Sequence, residues 1–395
     1  MTEEVGNRRP GAKLSRRTLI AASAATLLGG GIGLGSRLNT SGEKMGGSGN
    51  TDMPPPQPLP NTNLEVILLG TGGGATPSKF RAGTSSVVRV EDSVYVVDCG
   101  QGSVSQFQKS GLGFNKIESM FITHLHADHM VDYYDYFLLA GVLPKMEEGQ
   151  GISKKIGIFG PGPAGGIAHP ASGHPGGDSL INPSNPTPGL QEMTMSLMSA
   201  YAYSSNIYML GAGAQDVRDL IDIKEIELPP IGAGFDGPTA PEMRPFAIME
   251  DSRTRVSAVL VPHGPVFPSF AYRFDTEYGS VTFSGDTAPS QNVVTLAHGS
   301  EILVHECIDI DSYAEAGLSS DTLNHIRENH TDVNDIGKIA EESEVETLVL
   351  NHLSPSDPSR IPDQIWAARA QVGFSGRVVV GSDLLRIPIV RGNAK

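Results

Sequence analysis

A β-rich α/β domain is what the sequence predicts, and three observations carry it. Short strand-like runs recur from Leu64 onward with turn residues between them, and helical stretches are interleaved in both halves. The apolar and charged fractions, 39% and 18%, are those of a globular protein, and 395 residues leave ample length for a sizeable core. Strands are expected over 64–69, 85–90, 94–98, 117–122, 155–159, 256–261, 269–274, 280–283 and 302–305, with late ones at 347–350 and 377–380. Helices are expected over 103–110, 129–142, 190–210, 289–298, 332–342 and 362–371. No internal repeat is visible in the residues themselves.

The first sixty residues are of a different kind. In residues 1–40, Arg8, Arg9, Lys13, Arg16 and Arg17 precede a weakly apolar, Ala/Gly-rich stretch, which is the layout of a secretory signal. Ser15-Arg16-Arg17-Thr18-Leu19-Ile20 resembles the twin-arginine signal of bacterial export, so the chain is expected to cross the cytoplasmic membrane by that route. The alternative is a solvated basic tail followed by a core helix. No A-x-A cleavage site follows, which leaves an uncleaved anchor open, and the membrane is expected to be touched only there. Residues 41–63 turn to Gly, Ser, Asn and Pro and read as a disordered linker. The functional domain is then 64–395, with a Gly/Pro-rich stretch inside 160–215 read as a substrate-side insertion. His169 and His174 within it read as solvent-exposed loop histidines.

Charge bears on partners. Beyond residue 40 there are 23 Lys and Arg against 42 Asp and Glu, a net of −19. Binding a nucleic-acid backbone draws on Lys and Arg neutralising phosphates, so a nucleic-acid partner is not expected and a small anionic ester is. Cys99 and Cys307 are the only cysteines, too few for a disulfide framework, and read as two buried free thiols. Homodimerisation is left open.

The chemistry concentrates in His124-Leu125-His126-Ala127-Asp128-His129, directly after the strand at 117–122 and before a helix. Four ligand-type side chains cluster where a rigid strand hands over to a loop, the place for a preorganised metal site. With i, i+2 spacing, His124 and His126 can hold one ion while Asp128 and His129 turn toward a second. Imidazole and carboxylate suit zinc, and the same donors accept manganese or iron.

This H-x-H-x-D-H run resembles the metallo-β-lactamase superfamily. Leu68-Leu69-Gly70-Thr71-Gly72-Gly73, Gly83-Thr84-Ser85-Ser86 and Val96-Val97-Asp98-Cys99-Gly100-Gln101-Gly102 are similar to the opening of its ribonuclease Z-like branch, which also holds bacterial arylsulfatases and cyclic-nucleotide phosphodiesterases. The resemblance implies a four-layer αββα sandwich, two mixed β-sheets flanked by helices. It also implies two zinc ions, with His263 as a third histidine on the first, His352 as the last ligand of the second, and Asp286 bridging both around a hydroxide. Asp98 is expected to accept a hydrogen bond from a metal-site histidine, with a helix or turn cap as its alternative. By the same resemblance His330 is the proton donor to the leaving group and Asp128 shares in catalysis. His330 lies just before a helix, whose N-terminus disfavours imidazolium, while a nearby carboxylate would do the opposite. The role of His305 and Glu306 is left open.

The expected activity is hydrolysis of a phosphodiester or aryl sulfate ester by the metal-bridging hydroxide. The alternative is a ribonuclease Z-type endoribonuclease. The sequence disfavours it because the 160–215 region lacks the basic arm of those enzymes. Asp286 argues against a β-lactamase, since β-lactamases of the superfamily lack that bridging carboxylate. A non-enzymatic, metal-stabilised binding module is the remaining reading, and the complete ligand set argues against it.

Overall fold

The computed structural model describes residues 62–74, 76–141, 151–167 and 180–390. The leader, nearly all of the linker, and His169 and His174 lie outside the described residues.

Alternating residues of the first strand already show two layers of packing. In β1 (Leu64–Gly70), Leu64, Val66 and Leu68 enter one apolar cluster while Ile67 and Leu69 enter another. The first cluster lies between two sheets. One is built from β1, β2 (Ser85–Val90), β3 (Ser93–Val97), β4 (Ile117–Phe121), β5 (Ile156–Gly160), β6 (Ile221–Glu225) and a late strand, β14 (Leu385–Ile389), in the order β14-β1-β2-β3-β4-β5-β6. The other runs β13-β12-β11-β10-β9-β8-β7, from β7 (Phe246–Glu250), β8 (Thr254–Leu260), β9 (Phe270–Thr276), β10 (Gly279–Phe283), β11 (Ile302–Ile308), β12 (Thr347–Ser354) and β13 (Arg377–Val380).

Both sheets are mixed, and in the same way. Along the first, the pairings β14-β1, β1-β2 and β2-β3 are antiparallel and β3-β4, β4-β5 and β5-β6 parallel. Along the second, β7-β8, β8-β9 and β9-β10 are antiparallel and β10-β11, β11-β12 and β12-β13 parallel. The two halves thus repeat one topology, although no repeat shows in the residues. A sheet face needs only apolar side chains at alternate positions, so topology survives when sequence identity between halves does not.

Helices cover the outer faces. Phe107 of α1 (Ser103–Lys109) and Phe137 of α3 (Asp135–Ala140) fill the second cluster, together with Leu190, which opens α4 (Leu190–Ala200). Between α1 and α3 lies the short α2 (Ala127–Met130), and α4 is followed by α5 (Ala202–Ala212). The other sheet carries α6 (Gln291–Ala297); α7 (Ile310–Glu315) and α8 (Ser320–Asn329) follow it in the chain and pack on each other, and α9 (Val333–Glu342) and α10 (Asp363–Ala370) complete the cover. In α9, Val333, Ile336, Gly337, Ile339 and Ala340 are the buried residues, a helical stripe facing the sheet, and the Asp332 carboxylate caps its start.

This is the expected αββα sandwich, and both cysteines are free and buried as expected. The differences are local. The helix expected over 190–210 is two helices meeting at Tyr201, whose ring stacks on Tyr134 at 5.6 Å between centroids. The helix expected from His129 begins at Ala127 and is broken by a turn before α3 resumes it. Strands β6, β7 and β14 and helices α7 and α8 were not expected. Of these, β14 contains Pro388, which a sheet tolerates only at an edge, and β14 is the edge of its sheet.

Buried charge is paired. Glu65 is fully buried and accepts hydrogen bonds from Arg89 and from Arg386 Nη2, the latter at 2.5 Å. That triad ties β1, β2 and β14 together.

Candidate metal centre

The site residues cluster at the carboxyl ends of the parallel strands, where open α/β sheets place their ligands. After β4, Thr123 and His124 lead into α2. His126 precedes the helix without capping it, so its ring is free to face the site, and Asp128 and His129 occupy the first turn. His124 and His129 are almost wholly buried. His263 follows β8, and Asp286 follows β10 across Gly285, whose φ is +58°. A Cβ on Gly285 would lie 2.5 Å from the Phe270 carbonyl oxygen, so only glycine turns the chain here.

His352 is placed by an irregularity. Glu306 pairs with Asn351 and Cys307 with Leu353, which leaves His352 as the extra residue of a bulge in β12, with φ +47°. A bulge re-aims a side chain that a regular strand would point elsewhere. Gly73 packs against it so closely that a Cβ there would lie 2.5 Å from His352 Nδ1.

At the centre stands one carboxylate oxygen. Asp286 Oδ2 lies 3.2 Å from His129 Nε2, 3.3 Å from His352 Nε2, 3.9 Å from His263 Nε2 and His330 Nδ1, and 4.0 Å from His124 Nε2. On one side His124, His126 and His263 bring ligand atoms within 4.8 Å of one another, and on the other Asp128, His129 and His352 do the same. His352 Nε2 is 3.4 Å from Asp128 Oδ2, and His263 Nε2 is 3.2 Å from His126 Nδ1.

Protein groups alone do not satisfy this cluster. His124 Nε2, His129 Nε2, Asp286 Oδ1 and His352 Nδ1 are buried without a hydrogen-bond partner. Burial and the neighbouring His129 and His263 hold His124 well below the ordinary histidine range. His129 goes the other way. Burial would lower it, but Asp286 and Asp98 outweigh burial and raise it well above that range. A buried cluster in which the Asp286 and Asp98 carboxylates both face one imidazole is short of positive charge. Imidazole nitrogens left without partners around a shared carboxylate are the donor set of divalent cations, and zinc fits them.

A second layer fixes the first. Asp98, itself at φ +58°, accepts from His129 Nδ1 at 2.9 Å and from the Thr123 amide and hydroxyl, both at 2.8 Å. The same hydroxyl is 3.1 Å from His124 Nδ1. His263 Nδ1 donates to the Asn329 carbonyl at 2.7 Å. These contacts set tautomer and ring direction. Thr123 and the Asn329 carbonyl carry no sequence signal.

Glu306 acquires a position. It is buried in β11, and its Oε1 accepts from His330 Nδ1 at 3.0 Å, the Thr287 amide at 2.9 Å and the Thr331 amide at 3.3 Å. His330 ends α8, as its C-terminal cap, as well as preceding α9. The helix that touches it directly therefore presents its negative end. Burial lowers the His330 pKa, but Glu306 and Asp286 together push it up to about 9. The carboxylate prevails over the N-terminal helix effect expected from sequence. His305 faces away, donating from Nδ1 to the Glu306 carbonyl.

Sheet order, sandwich and strand-end site define a protein of the metallo-β-lactamase fold. The crystal structure of the metallo-β-lactamase fold protein YhfI from Bacillus subtilis superposes with TM-score 0.51 at 15% identity, over 82% of this chain and 99% of that one. Human tRNase Z, short form, superposes at 0.53 with 19% identity, over 82% and 99%. In sequence, the chain is similar to ribonucleases Z. Those of Mycolicibacterium paratuberculosis and Mycobacterium bovis are each 28% identical over 326 residues, 82% of this chain and 98% of theirs. The family described as "Anti-Pycsar protein Apyc1" matches residues 64–132.

The ribonuclease names overturn one expectation. Acidity was taken to argue against a nucleic-acid partner, yet enzymes named for cutting RNA align along 82% of this chain. The physical reason is that net charge sums the whole surface, whereas a phosphate meets only the charge at the site, and a divalent-cation centre is itself strongly positive.

Proposed function

We propose that the chain is a two-metal phosphodiesterase acting on RNA. The observation that carries the reading is Asp286 Oδ2, set within 4.0 Å of five imidazole nitrogens and between two donor groups. His124, His126 and His263 would hold one divalent cation, Asp128, His129 and His352 a second, with Asp286 shared. Two such cations would supply an acidified water and stabilise charge growing on phosphorus.

The remaining work falls to the chain. Asp98 holds the His129 ring through Nδ1 and so aims Nε2 inward. Glu306 engages His330 Nδ1, which leaves Nε2 as the nitrogen that gives a proton to the departing oxygen. His330 is also the more open of the pair, with 20% of its side chain exposed against 2% for Glu306, as a group that must meet substrate should be. The ribonuclease Z relatives support RNA as the phosphodiester.

A second reading, a small phosphodiester or aryl sulfate, is favoured by the absence of Lys and Arg from 160–167 and 180–215, the described part of the insertion. The leader supports export by the twin-arginine route under either reading. Metal analysis combined with a parallel screen separates the substrates. Two zinc ions per chain and faster turnover of precursor transfer RNA than of cyclic AMP, bis-p-nitrophenyl phosphate or p-nitrophenyl sulfate are expected. Preference for the sulfate over every phosphodiester would overturn the proposal.

A further inference from the structure

A cavity of about 400 Å³ opens beside the metal centre, lined by Gly73, Gly74, Thr76, Tyr313, Ser356 and Arg360 among others. The wall between cavity and site is one residue thick. The Gly74 amide donates to His352 Nε2 at 3.3 Å, and Gly73 is the residue whose bare Cα lets His352 pack. Anything held here therefore lies against the Asp128-His129-His352 side of the centre.

The lining chemistry is selective. Arg360 is exposed and brings a guanidinium into a domain that is otherwise strongly acidic. The one lining carboxylate is already engaged, since Asp357 Oδ1 accepts from the Ser359 amide at 2.9 Å and hydroxyl at 2.7 Å. Among the described residues, Arg360 is the one cationic residue lining the cavity, beside that satisfied carboxylate. Tyr313 lines the same space with its hydroxyl fixed to Ser354 Oγ at 2.7 Å, which holds the ring in place. A fixed aromatic ring, a guanidinium and free hydroxyls in a volume of this size match a nucleotide, with a π-face for the base and charge for its phosphate.

We propose that this cavity is the subsite for the nucleotide next to the scissile phosphate, with Arg360 binding that nucleotide's own phosphate and Tyr313 its base. The inference rests on the phosphodiesterase reading and adds what that reading lacks, a reason for preferring a nucleotide over a simple ester.

Arg360→Ala and Tyr313→Leu, assayed on a short RNA and on bis-p-nitrophenyl phosphate, test it. The second substrate has no neighbouring nucleotide to fill the cavity. Loss of a charge-assisted phosphate contact should raise KM for RNA about tenfold or more in Arg360→Ala, leaving kcat and bis-p-nitrophenyl phosphate turnover within about twofold. Arg360→Lys should recover part of the loss. Independently of turnover, adenosine 5′-monophosphate should bind the zinc-loaded wild type by calorimetry and bind Arg360→Ala several-fold more weakly. Equal losses on both substrates, an unchanged KM for RNA, or equal nucleotide affinity in the two proteins would overturn the subsite. Failure of the wild type to cleave any phosphodiester sinks the proposed function instead, and the nucleotide titration still decides the cavity.

Discussion

Replacing Glu306 by Gln removes one charge and little else. The amide oxygen can still accept from the Thr287 and Thr331 amides, now 2.9 and 3.3 Å from the carboxylate, so the loop geometry should stand. What is lost is the ionic partner of His330 at 3.0 Å. A hydrogen bond to a charged group contributes about 1.5–3 kcal/mol, which is roughly a 10- to 100-fold loss wherever protonated His330 is needed. An RNA leaving group departs as an alkoxide and needs the proton, whereas p-nitrophenolate does not. Turnover of RNA should therefore fall by that factor while bis-p-nitrophenyl phosphate stays within about threefold. The pH profile gives a second reading. The Glu306 and Asp286 carboxylates hold the His330 pKa up near 9 against burial, so the acid form is present below that value and lost as pH rises through it. Without the Glu306 charge the alkaline fall in RNA cleavage should move to lower pH. Both assays need zinc content to match wild type, since Glu306 is outside the proposed ligand set. Equal loss on the two substrates, or an alkaline limb that does not move, refutes the proton-donor assignment.

Asp286→Asn should lower bound zinc below two per chain and abolish turnover of activated and unactivated substrates alike, measured by mass spectrometry and initial rates; two retained ions with ordinary activity would remove Asp286 from the centre. Asp98→Ala should weaken one metal site by about 10- to 100-fold, because His129 loses the partner that orients it, and competition with a chelating dye reads that directly. Stripping the metal should lower the melting temperature, with a rise on returning zinc that grows with its concentration, since the ion binds the folded state; a transition insensitive to zinc counts against the site. Glu65→Gln, far from the centre, should destabilise the fold by about 3–5 kcal/mol by leaving the buried Arg89 and the half-buried Arg386 without their carboxylate, and chemical denaturation checks it.

What was legible in the sequence follows the range over which each residue acts. His124 to His129 could be read because strand, turn and helix start set their geometry within six positions. His263, Asp286 and His352 are scattered over ninety residues, and only a likeness to known proteins gathered them. No local pattern announces that His352 is a bulge residue, because the bulge exists only in its pairing with β11. Glu306 stood in a different position, since its signal was present and unread. A charged residue inside Ile302-Leu303-Val304-His305-Glu306-Cys307-Ile308, a wholly buried parallel strand, is costly unless something pairs with it. The partner, 24 residues away, was the one histidine already suspected of donating a proton. The misreading of nucleic acid had the opposite origin, a global quantity used for a local question. A net charge of −19 describes the long-range field of the domain, while a phosphodiester at the strand ends would meet only the local charge there, His330 and whatever cations five histidines and two carboxylates can hold.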